Sequence, residues 1–122
     1  MMVIFSAPTP PDECLSMIRS RGWKDGKIKP CAPKISGKNA LIFVTYSGPH
    51  TGIDEATPMG KYMSQFFEHI GFTVLGEWYI LSEFHGSIEN STLGRMGDVR
   101  GKPTDEDLLK IKKDAEQMAR ER

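Results

Sequence analysis

Ala40-Leu-Ile-Phe-Val-Thr-Tyr46, followed directly by Ser47-Gly-Pro-His-Thr-Gly52, is the stretch around which the chain is organised. Six of the seven residues from Ala40 to Tyr46 are apolar or aromatic and none is charged, the pattern of a strand covered on both faces of a sheet. Gly48, Pro49 and Gly52 then break any regular element, and Ser47, His50 and Thr51 place hydroxyl and imidazole groups where the strand stops. A buried strand that ends in a glycine-containing polar loop and continues into a helix is the usual place for a ligand in an open α/β sheet.

Downstream, Met59, Tyr62, Met63, Phe66, Phe67 and Ile70 repeat at helical spacing, so a helix with an apolar stripe is expected from about Met59 to Ile70. That stripe is read as core. Gly71 serves as its stop and His69 complements the dipole in its last turn. Phe72 to Leu81, rich in β-branched and aromatic residues, predicts a strand bulged at Gly76. Residues 85–103 hold Gly86, Gly94, Gly97 and Gly101 without a packing period. They predict a long loop, a candidate for function or for contact with another subunit. Thr104 is an N-cap for a last helix that opens on Asp105, Glu106 and Asp107, with Leu108, Ile111, Ala115, Met118 and Ala119 as its buried face.

Upstream, Met2-Val-Ile-Phe5 reads as a short apolar strand, stopped by Pro8, Pro10 and Pro11. A brief helix carrying Leu15, Met17 and Ile18 follows from Asp12 to about Arg21, with Gly22 ending it. Residues 23–39 carry five lysines, two prolines and two glycines and read as an irregular crossover. Seven of the sixteen basic residues fall between Arg19 and Lys38. A solvated loop accounts for that patch, with phosphate or an acidic partner as the alternative.

The alternation of strands and helices argues for one α/β domain over residues 1–122 with a parallel sheet. Sixteen basic and sixteen acidic residues cancel, which gives no electrostatic reason to expect nucleic acid or an anionic membrane. The longest apolar run falls far short of the ~20 residues a bilayer requires. The absence of a basic leader, together with Cys14 and Cys31 outside any metal spacing, points to the cytoplasm with both thiols structural; a Cys14–Cys31 pairing stays open. No metal site is expected. Asp54 and Glu55 are read as N-cap and first-turn acids of the following helix. No Ser-His-Asp or Cys-His pattern marks a hydrolase, and His50 and His85 are read as solvent-facing loop residues.

Four stretches in order resemble the second half of flavodoxin-like domains, in the branch with the NAD(P)H-dependent FMN reductase-like proteins. Val3-Ile-Phe-Ser-Ala-Pro-Thr-Pro10 resembles that family's third strand and flavin loop, and Gly37-Lys-Asn-Ala-Leu-Ile-Phe-Val-Thr-Tyr-Ser-Gly48 its fourth strand and second flavin loop. Phe66-Phe-Glu-His-Ile-Gly-Phe-Thr-Val74 is similar to the link into the fifth strand. Gly97-Asp-Val-Arg-Gly-Lys-Pro-Thr-Asp-Glu-Asp-Leu108 is similar to the approach to the last helix.

The resemblance implies a three-layer flavodoxin-like parallel sheet, truncated to about three strands and three helices. It implies FMN as cofactor, held by Ser6, Ala7, Pro8, Thr9 and Pro10 in one loop and by Thr45, Tyr46, Ser47, Gly48, Pro49, His50 and Gly52 in the other. Backbone amides beside glycine would reach the flavin edge, and Tyr46 would pack near a ring. The family's phosphate-holding turn and its first two strands have no counterpart here, which leaves Met2–Phe5 as an apolar edge in the family's strand order. Three expectations follow: a homodimer completes the sheet, a partner chain supplies the missing half, or the sequence is part of an ordinary flavin binder. The homodimer is favoured, because a half-domain buries little area by itself. The functions implied are electron transfer or FMN-dependent reduction at a site complete only on assembly, or, as the alternative, a non-catalytic oligomerisation or regulatory module that has lost the flavin.

Overall fold

The structure, a computed structural model, describes residues 2–6 and 12–121. Its order is β1 (Met2–Ser6), α1 (Asp12–Lys24), β2 (Asn39–Tyr46), a 3-10 turn (Gly52–Glu55), α2 (Thr57–His69), β3 (Thr73–Leu81), α3 (Ile88–Thr92) and α4 (Asp105–Arg120). The three strands form one parallel sheet with β2 in the centre. The mixed α/β class with a parallel sheet is therefore as expected. The helix count is four rather than about three, because residues 85–103 are not uniformly loop.

The central strand is buried along most of its length, from Ala40 to Val44. Its side chains alternate across the sheet. Ala40, Ile42 and Val44 join Met59, Met63, Phe66, Phe67 and Ile70 of α2 in the main core, and Leu15 of α1 and Ile28 complete it. On the other face Leu41 and Phe43 are also buried, and the Phe43 ring meets Trp78 of β3 edge-on at 5.0 Å between centroids. Burying each such large side chain contributes about 1.5–3 kcal/mol.

α2 begins two residues earlier than the apolar stripe suggests, with Ala56 as N-cap and Pro58 in the first turn, where a missing N–H costs nothing. Asp54 and Glu55 lie instead in the preceding 3-10 turn. Tyr62 is 45% exposed and lies outside the core. Gly71, at φ +94, follows the helix as expected, and a side chain there would strike the Pro33 carbonyl.

In β3 the ladder slips one residue before Gly76, where the break or bulge was expected. Val74 pairs with Ala40 and Gly76 with Leu41, so Leu75 is the extra residue of the bulge.

Gly22 corrects the reading of α1, which runs through it to Lys24. Ile28 folds back over this glycine, and a Cβ there would lie 2.6 Å from Ile28 Cδ1. Gly22 is a packing glycine and not a stop. The crossover that follows is irregular as expected. It is pinned by Lys34 Nζ donating to the Phe72 carbonyl (2.9 Å) and by Ile35 N donating to the Gly71 carbonyl (2.8 Å). Cys31 is exposed, and the Cys14 side chain lies outside the described residues, as does any pairing of the two.

Thr104 caps α4 as expected, and the structure adds a reciprocal box with Asp107. The expected buried face of α4 is corrected. None of its residues is buried: Ile111, Ala115 and Met118 are half-buried, whereas Leu108 and Ala119 are exposed.

Candidate functional site

Parallel strands end on one side of the sheet, so the carboxyl ends of β1, β2 and β3 are neighbours. The register sets Ser6 of β1 beside Thr45 of β2, and Thr45 beside Ile80 of β3. Of the residues expected in the first flavin loop, Ser6 is thus placed by its backbone next to the second loop. Ala7, Pro8, Thr9 and Pro10 lie outside the described residues.

The loop after β2 folds on itself. Gly48 takes φ +59, and any side chain on it would run into the backbone of Gly52. Gly52 N donates to the Gly48 carbonyl at 3.1 Å. Within this tight turn the backbone amides of His50 and Thr51 both donate to Glu55 Oε1, at 3.1 and 2.9 Å. From the side, Arg95 N donates to the Pro49 carbonyl at 2.8 Å, and Gly94 lies so close to Pro49 that a Cβ would fall 2.8 Å from its Cα. His50 and Thr51 are exposed, Ser47 and Pro49 half-buried, and Gly48 and Gly52 buried. Tyr46 packs against the α2 core, and burial pushes its hydroxyl pKa up.

The loop after β3 joins the same end. Ser82 N donates to the Tyr46 carbonyl at 2.7 Å, which ties the two strand ends together. Phe84 is held through both of its backbone groups. Its amide donates to Ser91 Oγ at 3.1 Å, and Ser91 Oγ donates to its carbonyl at 2.9 Å. Ser91 is almost fully buried on α3, which Ser87 caps through the Asn90 amide. The segment that its glycines marked as loop is therefore an ordered buttress, with Val99 buried and Val99 N donating to the Ser91 carbonyl. Around it lies a cleft of about 450 Å³ bordered by Glu83, His85, Ser87, Glu89 and Arg100. His85 is exposed. Arg100 is engaged by Asp98, whose carboxyl it holds at about 2.

Two features were not singled out by the sequence. One is a polar cluster between α2 and β3, where Glu77 accepts from Ser64 Oγ (2.5 Å) and from Tyr79 Oη (3.0 Å) and pairs with Lys61 Nζ (3.0 Å). Burial by itself would raise the Glu77 pKa. The hydrogen bonds from Ser64, Lys61 and Tyr79, with the Lys61 charge, outweigh it and hold the carboxyl below its usual range. Burial, then the hydrogen bond to and the charge of Glu77, push Tyr79 up to about 12. The signal available was a single acid inside an otherwise apolar strand, Thr73-Val-Leu-Gly-Glu-Trp-Tyr-Ile-Leu81.

The second feature is a groove of about 620 Å³ along the outer side of β3, walled by Trp78, Ile80, Lys102, Lys110, Ile111 and Asp114. It is larger than the cleft at the strand ends, and no residue from Thr45 to Gly52 lines it.

Among the described residues, no group of three or more His, Cys, Asp or Glu side chains is arranged to hold a metal, and no helix is long and apolar enough to cross a membrane. Comparison with known protein families, with curated proteins and with solved structures found no match to this chain.

Proposed function

We propose that the chain is a flavodoxin-like protein that holds FMN at the carboxyl ends of β1 and β2 and serves electron transfer or FMN-dependent reduction in the cytoplasm. The observation that supports this reading is the Ser6–Thr45 register, which sets the ends of the two strands that lead into the flavin-loop-like stretches side by side. A ligand there meets the end of β1 at Ser6 on one side and Thr45 to Gly52 on the other. The exposed His50 and Thr51 and half-buried Ser47 offer the polar groups that a flavin edge requires. Bound flavin would supply the redox chemistry, and the protein would orient the ring and exclude water from it. The three-layer arrangement and the phosphate contacts are completed in this reading by a second copy or a partner chain, as a homodimer in the first instance.

Titrating the purified protein with FMN while following flavin fluorescence and the visible flavin band, together with mass determination in solution, tests this reading. Saturable quenching that tracks the assembled form supports it. A protein that stays colourless and leaves FMN fluorescence unchanged at every concentration overturns it.

A second reading is a non-catalytic oligomerisation or regulatory module. It is favoured by the exposure of Met17 and Trp23 on α1, 72% and 54%, apolar surface of a kind that interfaces cover. Stable assembly without any flavin response distinguishes it from the first.

A further inference from the structure

We infer that the exposed surface formed by α1 and the crossover to β2 docks the protein on an anionic lipid bilayer, its lysines and arginines facing the headgroup charges and its apolar side chains set into the headgroup–acyl boundary. The balance of sixteen basic and sixteen acidic residues conceals a segregation, because the stretch from Arg19 to Lys38 carries seven bases against one acid, Asp25. All seven are exposed, and no ion pair among the described residues uses any of them. Lys34 donates to the Phe72 carbonyl and keeps its charge. With Leu15 turned into the core, Met17, Arg21 and Lys24 fall on the opposite face of α1, at spacings of four and three residues. Ile18, Trp23 and Ile35 are exposed among the same cations.

This mixture of side chains favours lipid over other polyanions. Basic clusters of this size hold proteins on anionic bilayers. Five of the seven bases are lysines, a residue that protein interfaces deplete, and two copies joined here would set like charges against each other. Single-stranded nucleic acid stacks its bases on aromatic platforms, of which this surface has one, Trp23, beside the aliphatic Met17, Ile18 and Ile35. A bilayer boundary accepts both kinds of side chain. The surface reaches the amino ends of β2 and β3, where the Lys38 carbonyl accepts from Thr73 N. It lies at the opposite end of the sheet from the loops after β2 and β3, and the inference is independent of the flavin reading.

The test is flotation of the full chain with vesicles of phosphatidylcholine alone or with about one-third phosphatidylserine. At about 0.1 M salt the protein should float with the phosphatidylserine vesicles and not with pure phosphatidylcholine, and it should be released at about 1 M, where the screening length falls to about 3 Å. Each cation near such a surface strengthens binding by about fivefold, so Arg21→Ser with Lys24→Ser should weaken it by roughly twentyfold. Lys27→Ser with Lys29→Ser should do the same, and serves if the first variant does not fold. Lys112→Ser with Lys113→Ser, which removes two exposed charges from α4, should bind as the wild type does. Tryptophan emission should shift to the blue on phosphatidylserine vesicles, and Trp23→Phe should lose that shift. Absence of flotation with phosphatidylserine, equal flotation with both kinds of vesicle, or equal losses from the α1 and α4 variants overturns the inference. Tighter binding to a single-stranded oligonucleotide than to the vesicles at equal phosphate concentration overturns it in favour of nucleic acid.

Discussion

Gly60 of α2 and Tyr79 of β3 occupy one space: a Cβ added to Gly60 would overlap the Tyr79 hydroxyl and come within 2.7 Å of its ring carbon Cζ. A glycine inside a helix ordinarily costs about 1 kcal/mol relative to alanine. This one is retained because the tyrosine ring crosses the helix there, with its hydroxyl near the Thr57 carbonyl and Glu77. Gly60→Ala should therefore destabilise the protein despite the better helix former, by about 1–3 kcal/mol as expected of overpacking. Denaturant unfolding measures it, and an unchanged or higher midpoint would refute the packing argument.

Glu77 gives the fold an acid-side dependence. Its carboxyl is held below the ordinary glutamate value of 4.5, since hydrogen bonds from Ser64, Lys61 and Tyr79 prevail over burial. The folded state thus binds this proton less readily than the unfolded chain. The stabilisation is present above about pH 4.5 and is lost as pH falls through the lower folded value. Glu77→Gln should cost about 1–2 kcal/mol at neutral pH, as for a hydrogen-bonded charged group, and should flatten the loss of stability below pH 4.5. A variant that keeps the wild-type acid slope would assign that slope to other carboxylates.

Tyr79 acts at the opposite end of the scale. Burial, then the hydrogen bond and charge of Glu77, raise it from 10.0 to about 12. The folded state holds the phenolic proton more tightly, so its contribution is complete below pH 10 and disappears as pH climbs from 10 towards 12. Tyr79→Phe should lose this alkaline component while losing little at pH 7, where the hydroxyl's net contribution is about 1 kcal/mol. Unfolding midpoints measured on both sides of pH 10 check it. Parallel alkaline profiles for the two proteins would contradict it.

Ser91 joins the 82–103 segment to the end of β3. Its hydroxyl accepts from the Phe84 amide and donates to the Phe84 carbonyl, and the residue is 2% exposed. Removing it leaves two backbone groups without their partner, at a cost of about 1–3 kcal/mol. Ser91→Ala should thus lower stability by that amount and speed amide exchange at Phe84 before it affects α2. Uniform acceleration across α2 and β3 would show that the buttress and the core open together.

Much of the architecture could be read from periodicity. The uncharged, mostly apolar run from Ala40 to Tyr46 specified a central parallel strand, and the helical repeat from Met59 to Ile70 specified the helix that covers it, because burial dictates both patterns. What escaped depended on contacts distant in sequence. Gly22 and Gly60 carry the same local signal as a helix stop, yet one makes room for Ile28 and the other for Tyr79. α3 is five residues long and held by one buried hydroxyl, too short to generate a period. In the candidate site, the polar loop was legible from its glycines, but the roles of Glu55 and Ser91 were not. Each acts on backbone groups that the chain brings to it only when folded.

Gly48 offers the most direct link between the fold and the proposed ligand loop. It sits at φ +59, a region that alanine enters at a cost of about 1–2 kcal/mol. A methyl group there would also approach the Gly52 carbonyl oxygen to 2.6 Å. Unlike a flexible side chain, that backbone cannot swing aside, because Gly52 N is itself bonded back to Gly48. The turn must therefore open, carrying His50 and Thr51 away from Glu55. Gly48→Ala should lower stability by about 2 kcal/mol or more, through backbone strain combined with the clash. It should also abolish the protection of the His50 and Thr51 amides while α2 and β2 stay protected. Where flavin binding is measurable, the variant should lose it beyond what its stability accounts for. Retention of both amide protection and ligand affinity in Gly48→Ala would mean that the turn's closed shape is incidental to what the loop does.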